Sequence, residues 1–376
     1  MQKLLFVICS FWLSTTFAQG VSDTEIKLGV SNAQSGPAAA LGLGVLEGAN
    51  VFLDELNAKG GVNGRKVKLV VYDDAYEPKK TRENTKKLIE QDKVLALVGY
   101  VGTPTSKAIL PLIGKNKVPY IAPLTGAEFL RNPVNPNVFN IRASYFDETE
   151  ALVNAMISDL GAKKIGVFVQ DDGYGDAGKS GVVRALRKKG LKLAGEGRYT
   201  RNTLDVDAGL EALMKAKPDA IIMVGAYKPC AAFIKKAKAK SFSPHFANIS
   251  FVGTKNLIEE LGEAGEGSFI SQAIPSPESN EIAVIKEYHE AIKKAGKEPT
   301  YNSLEGYLGM KFFTQALQAA GKDLSRDSLR KALNSQKFKV GSESISWSAK
   351  NHSGLKKVFL TKIKGSKAVP VNKLND

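Results

Sequence analysis

Short apolar runs alternate with amphipathic stretches of helical period along most of the chain, and no other feature restricts its fold as much. "EIKLGVSN" reads as a strand. In "GVLEGANVFLDELNAKGG" that follows, Val45, Ala49, Phe52 and Leu56 fall on one helix face, at spacings of four, three and four, and the two glycines close the helix. "RKVKLVVYDD", "VLALVGY" and "VPYIAP" are further strands, separated by "EPKKTRENTKKLIEQ" and "TPTSKAILPLI", both of helical pattern. Strands joined by connections of helix length must lie parallel, in a sheet covered on both faces.

The pattern then restarts. "KKIGVFVQDDGYGDAG" with "KSGVVRALRKKG" repeats the strand, glycine loop and helix of the first unit. "PDAIIMVGAY", "PCAAFIKKAKAK" and "FANISFVG" continue it. The 376 residues suffice for two such lobes. A break at "NPVNPNVFNIRASYFDE" separates them. Two long helical patterns, "NEIAVIKEYHEAIKKAGK" and "SLEGYLGMKFFTQALQAAGK", precede a tail of strand character.

The N-terminus has Lys3, an apolar run from Leu4 to Leu13, and the small residues Thr16 and Ala18 before Gln19. This reads as a secretory leader, residues 1–18, cleaved near Ala18/Gln19, which sends the mature chain out of the cytoplasm. No later run reaches the ~18 apolar residues of a membrane span. With Cys9 in the leader, Cys230 alone remains, so no intramolecular disulfide forms and Cys230 reads as an inert helix residue. The net charge of +15 comes mostly from lysines scattered over helix patterns such as "IKKAKAK". These are solvated faces; no aromatic-interleaved basic cluster points to nucleic acid.

In open α/β sheets ligands sit beyond the carboxyl ends of the strands, so the loops there carry the functional information. In "VGTPTSKAIL", Thr103 is placed to cap a helix with Pro104 at its first position, leaving the amides of Thr105 and Ser106 facing the strand ends. Hydroxyl, amides and helix dipole together suit a small anion, although capping alone also accounts for the pattern. "LTGAEFL" sets a second hydroxyl, Thr125, and Gly126 beside the first, and two adjacent cups suit a carboxylate. "GYGDAGKS" fits the phosphate-loop pattern G-x-x-x-x-G-K-[ST], with Lys179 as its cation. Three aspartates and Tyr174 crowd that turn, and a secreted protein meets little ATP. An NTPase is therefore the remote alternative, and Tyr174 is a candidate wall of a site whose anion cup lies on the other lobe. His245, His289 and His352 have no metal spacing, His289 reads as solvated, and nothing pairs a nucleophile with a base. Neither enzyme, cofactor nor metal is indicated.

The leader, "IKLGVSNAQSGPAAALGLGVLEGANVFLDELNAKGGVNGRKVKLVVYDDAYEPKKT", and the "QDDGYG" and "GAY" loops resemble the branched-chain amino acid group of type I periplasmic binding proteins, which feed ABC importers. The resemblance covers essentially the mature chain. It implies two doubly wound parallel-sheet lobes joined by three crossings, near Ile141, Ala273 and Ser348, with the ligand between them. Residues 19–141 with 274–347 then form one lobe, and 142–273 with 348–376 the other. It also implies site roles. Thr103 holds a ligand carboxylate, Thr125, Gly126 and Ala127 complete the cup, and Tyr174 and Tyr227 close from the second lobe. Two departures stand out: Ser250 replaces an acid that pairs with a ligand ammonium in amino-acid binders, and Leu41 replaces an aromatic residue. Glu305 could supply that acid, but its helical context reads as solvated. The expected ligand is an amino acid or an organic or aromatic acid lacking the amine, with amides and urea-like solutes open. The expected partner is an ABC permease or, alternatively, a membrane sensor, and the expected state is a monomer.

Overall fold

The computed structural model describes residues 19–376, so the expected leader lies outside the described residues. The first lobe opens with β1 (Glu25–Asn32), α1 (Ala39–Ala58), β2 (Lys66–Asp73), α2 (Pro78–Glu90), β3 (Ala96–Val98), α3 (Thr103–Asn116), β4 (Tyr120–Ile121) and β5 (Val138–Phe139). The strands form a parallel sheet of order β2-β1-β3-β4-β5. Alternation explains the pairing: Ile26, Leu28 and Val30 point into the α1 side of the sheet, where Leu46, Ala49 and Leu53 meet them. The opposite face packs on α2 and α3 through Leu88, Leu97, Ile109 and Ile113. Pro78 and Pro104 lie in the first turns of α2 and α3, where a missing N–H costs nothing.

The second lobe follows with α4 (Tyr145–Leu160), β6 (Ile165–Gln170), α5 (Gly173–Lys188), β7 (Glu196–Tyr199), α6 (Asp207–Ala216), β8 (Ala220–Val224), α7 (Tyr227–Ala239), β9 (His245–Asn248), α8 (Thr254–Leu261) and β10 (Phe269–Gln272). Its parallel part runs β7-β6-β8-β9-β10, which repeats the order of the first lobe. β6 and β8 are buried along their whole length, as continuous apolar strands of a doubly covered sheet should be. Ser144 and Asp147 form a capping box that starts α4 at a defined residue.

The chain then returns to the first lobe with α9 (Ala283–Lys294), α10 (Tyr301–Ala319) and α11 (Arg326–Leu333) and a small hairpin, β11 (Lys337–Val340) with β12 (Glu343–Ser346). α10 lies tightly against α1. A Cβ at Gly48 would meet the Ser303 carbonyl at 1.7 Å and one at Gly306 the Val45 carbonyl at 2.0 Å, so this crossing admits only glycine. β13 (Phe359–Lys364), antiparallel to β10, and β14 (Lys367–Val371), antiparallel to β13, finally extend the second sheet. This third passage lies further along the chain than Ser348. Trp347 and Leu355 still pack in the first lobe's core, and Leu355 N–H donates to the Ile141 carbonyl at 3.0 Å. The late passage thus lies directly beside the first one. No helix among the described residues is long and apolar enough to cross a membrane.

Candidate functional site

Both sheets are doubly wound, and their strand ends face each other across a cleft. On the first lobe, Thr103 and Thr125 are fully buried, and their hydroxyl oxygens lie 2.7 Å apart in a hydrogen bond. Thr103 is not the cap of α3, as its position in "VGTPTS" suggested; Gly102 holds that place and Thr103 is the first helical residue. The threonine's short side chain finds a better partner in the next strand's loop than in its own helix. The amide of Ser106 is also less available than expected, because it donates to the Gly102 carbonyl at 3.1 Å. Since Pro104 has no N–H, the amides of Thr103 and Thr105 are left at the helix start, with the positive end of the dipole behind them.

The neighbouring loop is fixed from several sides. Ala127 N–H donates to Thr125 Oγ1 at 3.2 Å, and Arg131 donates to the carbonyls of Ala127 and Arg142 at 3.0 and 3.1 Å. The Gly126 carbonyl accepts from Tyr145 N–H at 2.8 Å. A Cβ at Gly126 would lie 2.4 Å from the Tyr145 ring, so glycine here lets α4 of the second lobe approach the cup. The buried Tyr145 phenol stands beside the two threonine hydroxyls, close enough for both to act on it, but makes no hydrogen bond of full geometry among the described residues. Burial pushes its pKa up, against the opposing pull of Arg142.

Aromatic side chains make the second lobe's face. Tyr174 is wholly buried, with its ring 5.5 Å from Tyr145 and 4.5 Å from Phe251 by centroid. Tyr76 reaches over from the first lobe to 6.0 Å from Phe251. Tyr227 begins α7 and is buried together with Leu41 of α1, both of them against Gly253. Further out, polar bonds join the lobes. Gln170 donates to the Tyr76 hydroxyl at 3.3 Å, Arg201 to Glu77 at 2.9 Å, and Asn202 to Glu77 and the Ala75 carbonyl at 2.7 and 3.1 Å. The lobes are therefore closed on each other.

Ser250 does not stand alone in the position where an acid was expected. Its amide and hydroxyl donate to Glu148 at 2.8 and 3.0 Å, and its oxygen accepts from Arg142. Glu305 also departs from expectation: it is buried in the middle of α10, with its carboxylate 3.7 Å from Arg142 Nε. Because α10 packs on both α1 and the sheet, no solvated face remains at that residue. Burial pushes Glu148 and Glu305 up, and Arg142 opposes this in both. Burial alone would pull Arg142 down, but Glu305 and Glu148 outweigh it and hold the guanidinium above its ordinary value.

The "GYGDAGKS" stretch is the start of α5, so it does not form the extended wrap that grips a polyphosphate. Asp172 caps this helix by accepting from Tyr174 N–H at 2.8 Å, and Lys179 pairs with Glu196 at 2.5 Å. Cys230 is buried in α7, and burial pushes its thiol up. His352 is buried as well, bonded through Nδ1 to the Val138 carbonyl at 2.8 Å. No group of His, Cys, Asp and Glu among the described residues could hold a metal ion. Sequence reasoning brought out Thr103, Thr125, Gly126, Ala127, Tyr174, Tyr227, Leu41 and Ser250, and all of them are buried. It missed Arg142, Tyr145 and Glu148. The capping box at Ser144 was a readable signal that a helix starts there, but not that its first turn faces the other lobe.

Two lobes of repeated strand order, closed over a cleft between their strand ends, define a hinged solute-binding protein. The family model described as periplasmic binding protein matches residues 25–368, and the chain belongs to that family. Proteins of this family are binding proteins rather than enzymes. A solved structure of a possible leucine/isoleucine/valine-binding protein from Rhodopirellula baltica is 35% identical, with a TM-score of 0.89 over 93% of this chain and 96% of that one. A Pseudomonas aeruginosa protein named amino acid binding protein is 24% identical over 334 residues, 85% of this chain and 86% of the relative. A Leu/Ile/Val-binding protein homolog from Brucella suis is 24% identical over 346 residues, 88% and 86% of the two chains.

Proposed function

We propose that this chain is the periplasmic substrate-binding component of an ABC importer and that it captures a small carboxylic acid, an amino acid or a close relative, in the interlobe cleft. The paired hydroxyls of Thr103 and Thr125 carry this reading. Two hydroxyls sharing one hydrogen bond retain one proton to donate, and the Tyr145 phenol beside them supplies another. With the amides of Thr103 and Thr105 at the start of α3 and that of Gly126 in the neighbouring loop, these donors can serve one small acceptor. Hydrogen bonds to a charged acceptor are stronger than neutral ones, and a dry site strengthens them further. Tyr174, Tyr227 and Leu41 provide the apolar walls, and Ser250 borders the cleft beside them. The names of the relatives, an amino acid binding protein and Leu/Ile/Val-binding proteins, agree with such a ligand.

Function then follows from closure. A ligand that touches both faces binds the closed arrangement better than the open one and shifts the population toward it. The closed surface is what the permease recognises, acting on a monomer. No covalent step is needed. The test is a thermal-shift screen of the secreted chain against amino acids, simple carboxylates, amides and nucleobases. Stabilisation by members of the acid classes supports the reading; stabilisation by nucleobases alone contradicts it.

A further inference from the structure

Arg142 follows β5 at the first passage between lobes, and its side chain has no exposure to solvent. One of its terminal nitrogens, Nη2, donates to Ser250 Oγ. Glu148 and Glu305 approach to 3.7 Å, which neutralises charge without making a hydrogen bond. Nε and Nη1 have no hydrogen-bond partner among the described residues. Glu148 cannot simply turn to cover them. Its oxygens are held by Ser250 N–H, Ser250 Oγ and Ser271 Oγ at 2.8, 3.0 and 2.6 Å. Buried charged donors are costly to leave bare, so such an edge marks a place that an acceptor should occupy.

Two donor poles therefore border one cleft. One is the threonine pair and the other is the guanidinium edge. Tyr145 stands between them, next to the threonine hydroxyls and within the field of Arg142. The Asn248 side chain, at the carboxyl end of β9 and close in sequence to Ser250, is likewise buried with both polar atoms unpartnered among the described residues. Arg142 faces Glu148 and Glu305, and Arg131, which also acts on Glu305, has Glu128 and Asp147 as its own acidic neighbours.

We propose that Arg142 contacts the ligand and selects small carboxylic acids that carry a second oxygen acceptor, a carboxylate or a carboxamide, over acids of equal length with an apolar chain. This rests on the reading of the cleft as an acid site. Glu148 and Ser250 act as positioning residues that fix the guanidinium so that its free edge faces the cleft.

The experiment is calorimetric titration of the secreted chain, stripped of co-purified ligand by unfolding and refolding, with matched pairs of acids. Succinate is compared with butyrate, and glutamate and glutamine with norvaline. The second-acceptor member of a pair should bind at least about tenfold tighter, the worth of a hydrogen bond to a charged group. That preference should vanish in Arg142→Met and persist weakly in Arg142→Lys. The carboxylate and carboxamide arms separate the two forms of the second acceptor. Equal or tighter binding of butyrate or norvaline to the unaltered chain overturns the proposal while leaving the acid site intact. A preference that survives in Arg142→Met overturns it too. Failure of every acid to bind the unaltered chain overturns the acid site itself, and this inference with it. Should Arg142→Met not fold, the matched pairs on the unaltered chain decide alone.

Discussion

The two faces of the cleft are built on opposite principles. The first lobe's face is polar and local: Thr103 and Thr125 sit in the short loops that follow the adjacent strands β3 and β4, and their backbone comes with them. The second lobe's face is aromatic and long-range, with Tyr145, Tyr174 and Phe251 drawn from the starts of different elements and packed ring on ring. Between them lies the Arg142 cluster, whose members come from the first passage, α4, α10 and the loop after β9. In the proposed reading, a hydroxyl cup fixes where one end of a small solute goes. A wall of rings fixes its size and excludes water, but holds its shape only if the core behind it is intact.

That contrast predicts different mutational signatures, and the largest effects fall on the second lobe. Glu148→Ala leaves the buried Arg142 without one of its two carboxylate partners and should destabilise the chain by about 3–5 kcal/mol in urea unfolding. Tyr174→Ala should cost a similar amount, about 3–5 kcal/mol, through the cavity it opens. Tyr174→Phe should be nearly silent, because the tyrosine's one hydrogen bond, to the Gly225 carbonyl, is long at 3.5 Å. A large loss in Tyr174→Phe would move that residue from wall to polar contact.

On the first lobe the order of effects reverses. Thr103→Val and Thr125→Val keep shape and remove a donor. Each should lower ligand affinity by roughly tenfold or more, at a stability cost of only about 1–3 kcal/mol from the hydroxyl left unpaired. If instead only stability falls and affinity holds, the hydroxyl pair is a structural bond and the two faces do not differ as described.

The turn that delivers Tyr76 into the cleft offers a test through pH. Asp74 is buried and accepts from Ser31, Thr81 and Tyr76 N–H, yet burial pushes it up to about 6 from 3.8. Between those values the folded chain holds a proton that the unfolded chain has lost. This stabilisation is therefore complete below about pH 4 and disappears as pH rises through about 6. The unfolding free energy of the natural chain relative to Asp74→Asn should fall across that window; a flat difference contradicts the assignment.

The smallest effect belongs to the polar latch at the cleft mouth. Arg201 and Glu77 are partly exposed, so Glu77→Gln should weaken ligand affinity only a few-fold, and less at high salt.

How far the sequence could be read follows the same division. The strand and helix alternation, the repeat of the unit and the threonine loops are local patterns, and each needs only a few neighbouring residues to be recognised. Glu305 was misread because its surroundings in "NSLEGYLGM" carry no sign of how many sides α10 buries; that depends on the glycine-mediated contact with α1. Arg142 and Glu148 were silent for the same reason. Neither belongs to a motif, and their meaning comes from acids and hydroxyls distant in the chain. The late third passage was also hidden, since Leu355 joins the first lobe through a bond to Ile141 that no local pattern records.

The central claim is that the threonine pair receives a carboxylate, and titration of the refolded chain with an acid and its methyl ester tests it most directly. Using the tightest-binding acid from the matched pairs, the free acid should bind at least about a hundredfold tighter than the ester, with that ratio collapsing in the Thr103→Val, Thr125→Val double variant. An ester that binds as tightly as the acid, or a ratio unchanged in the double variant, would contradict the account.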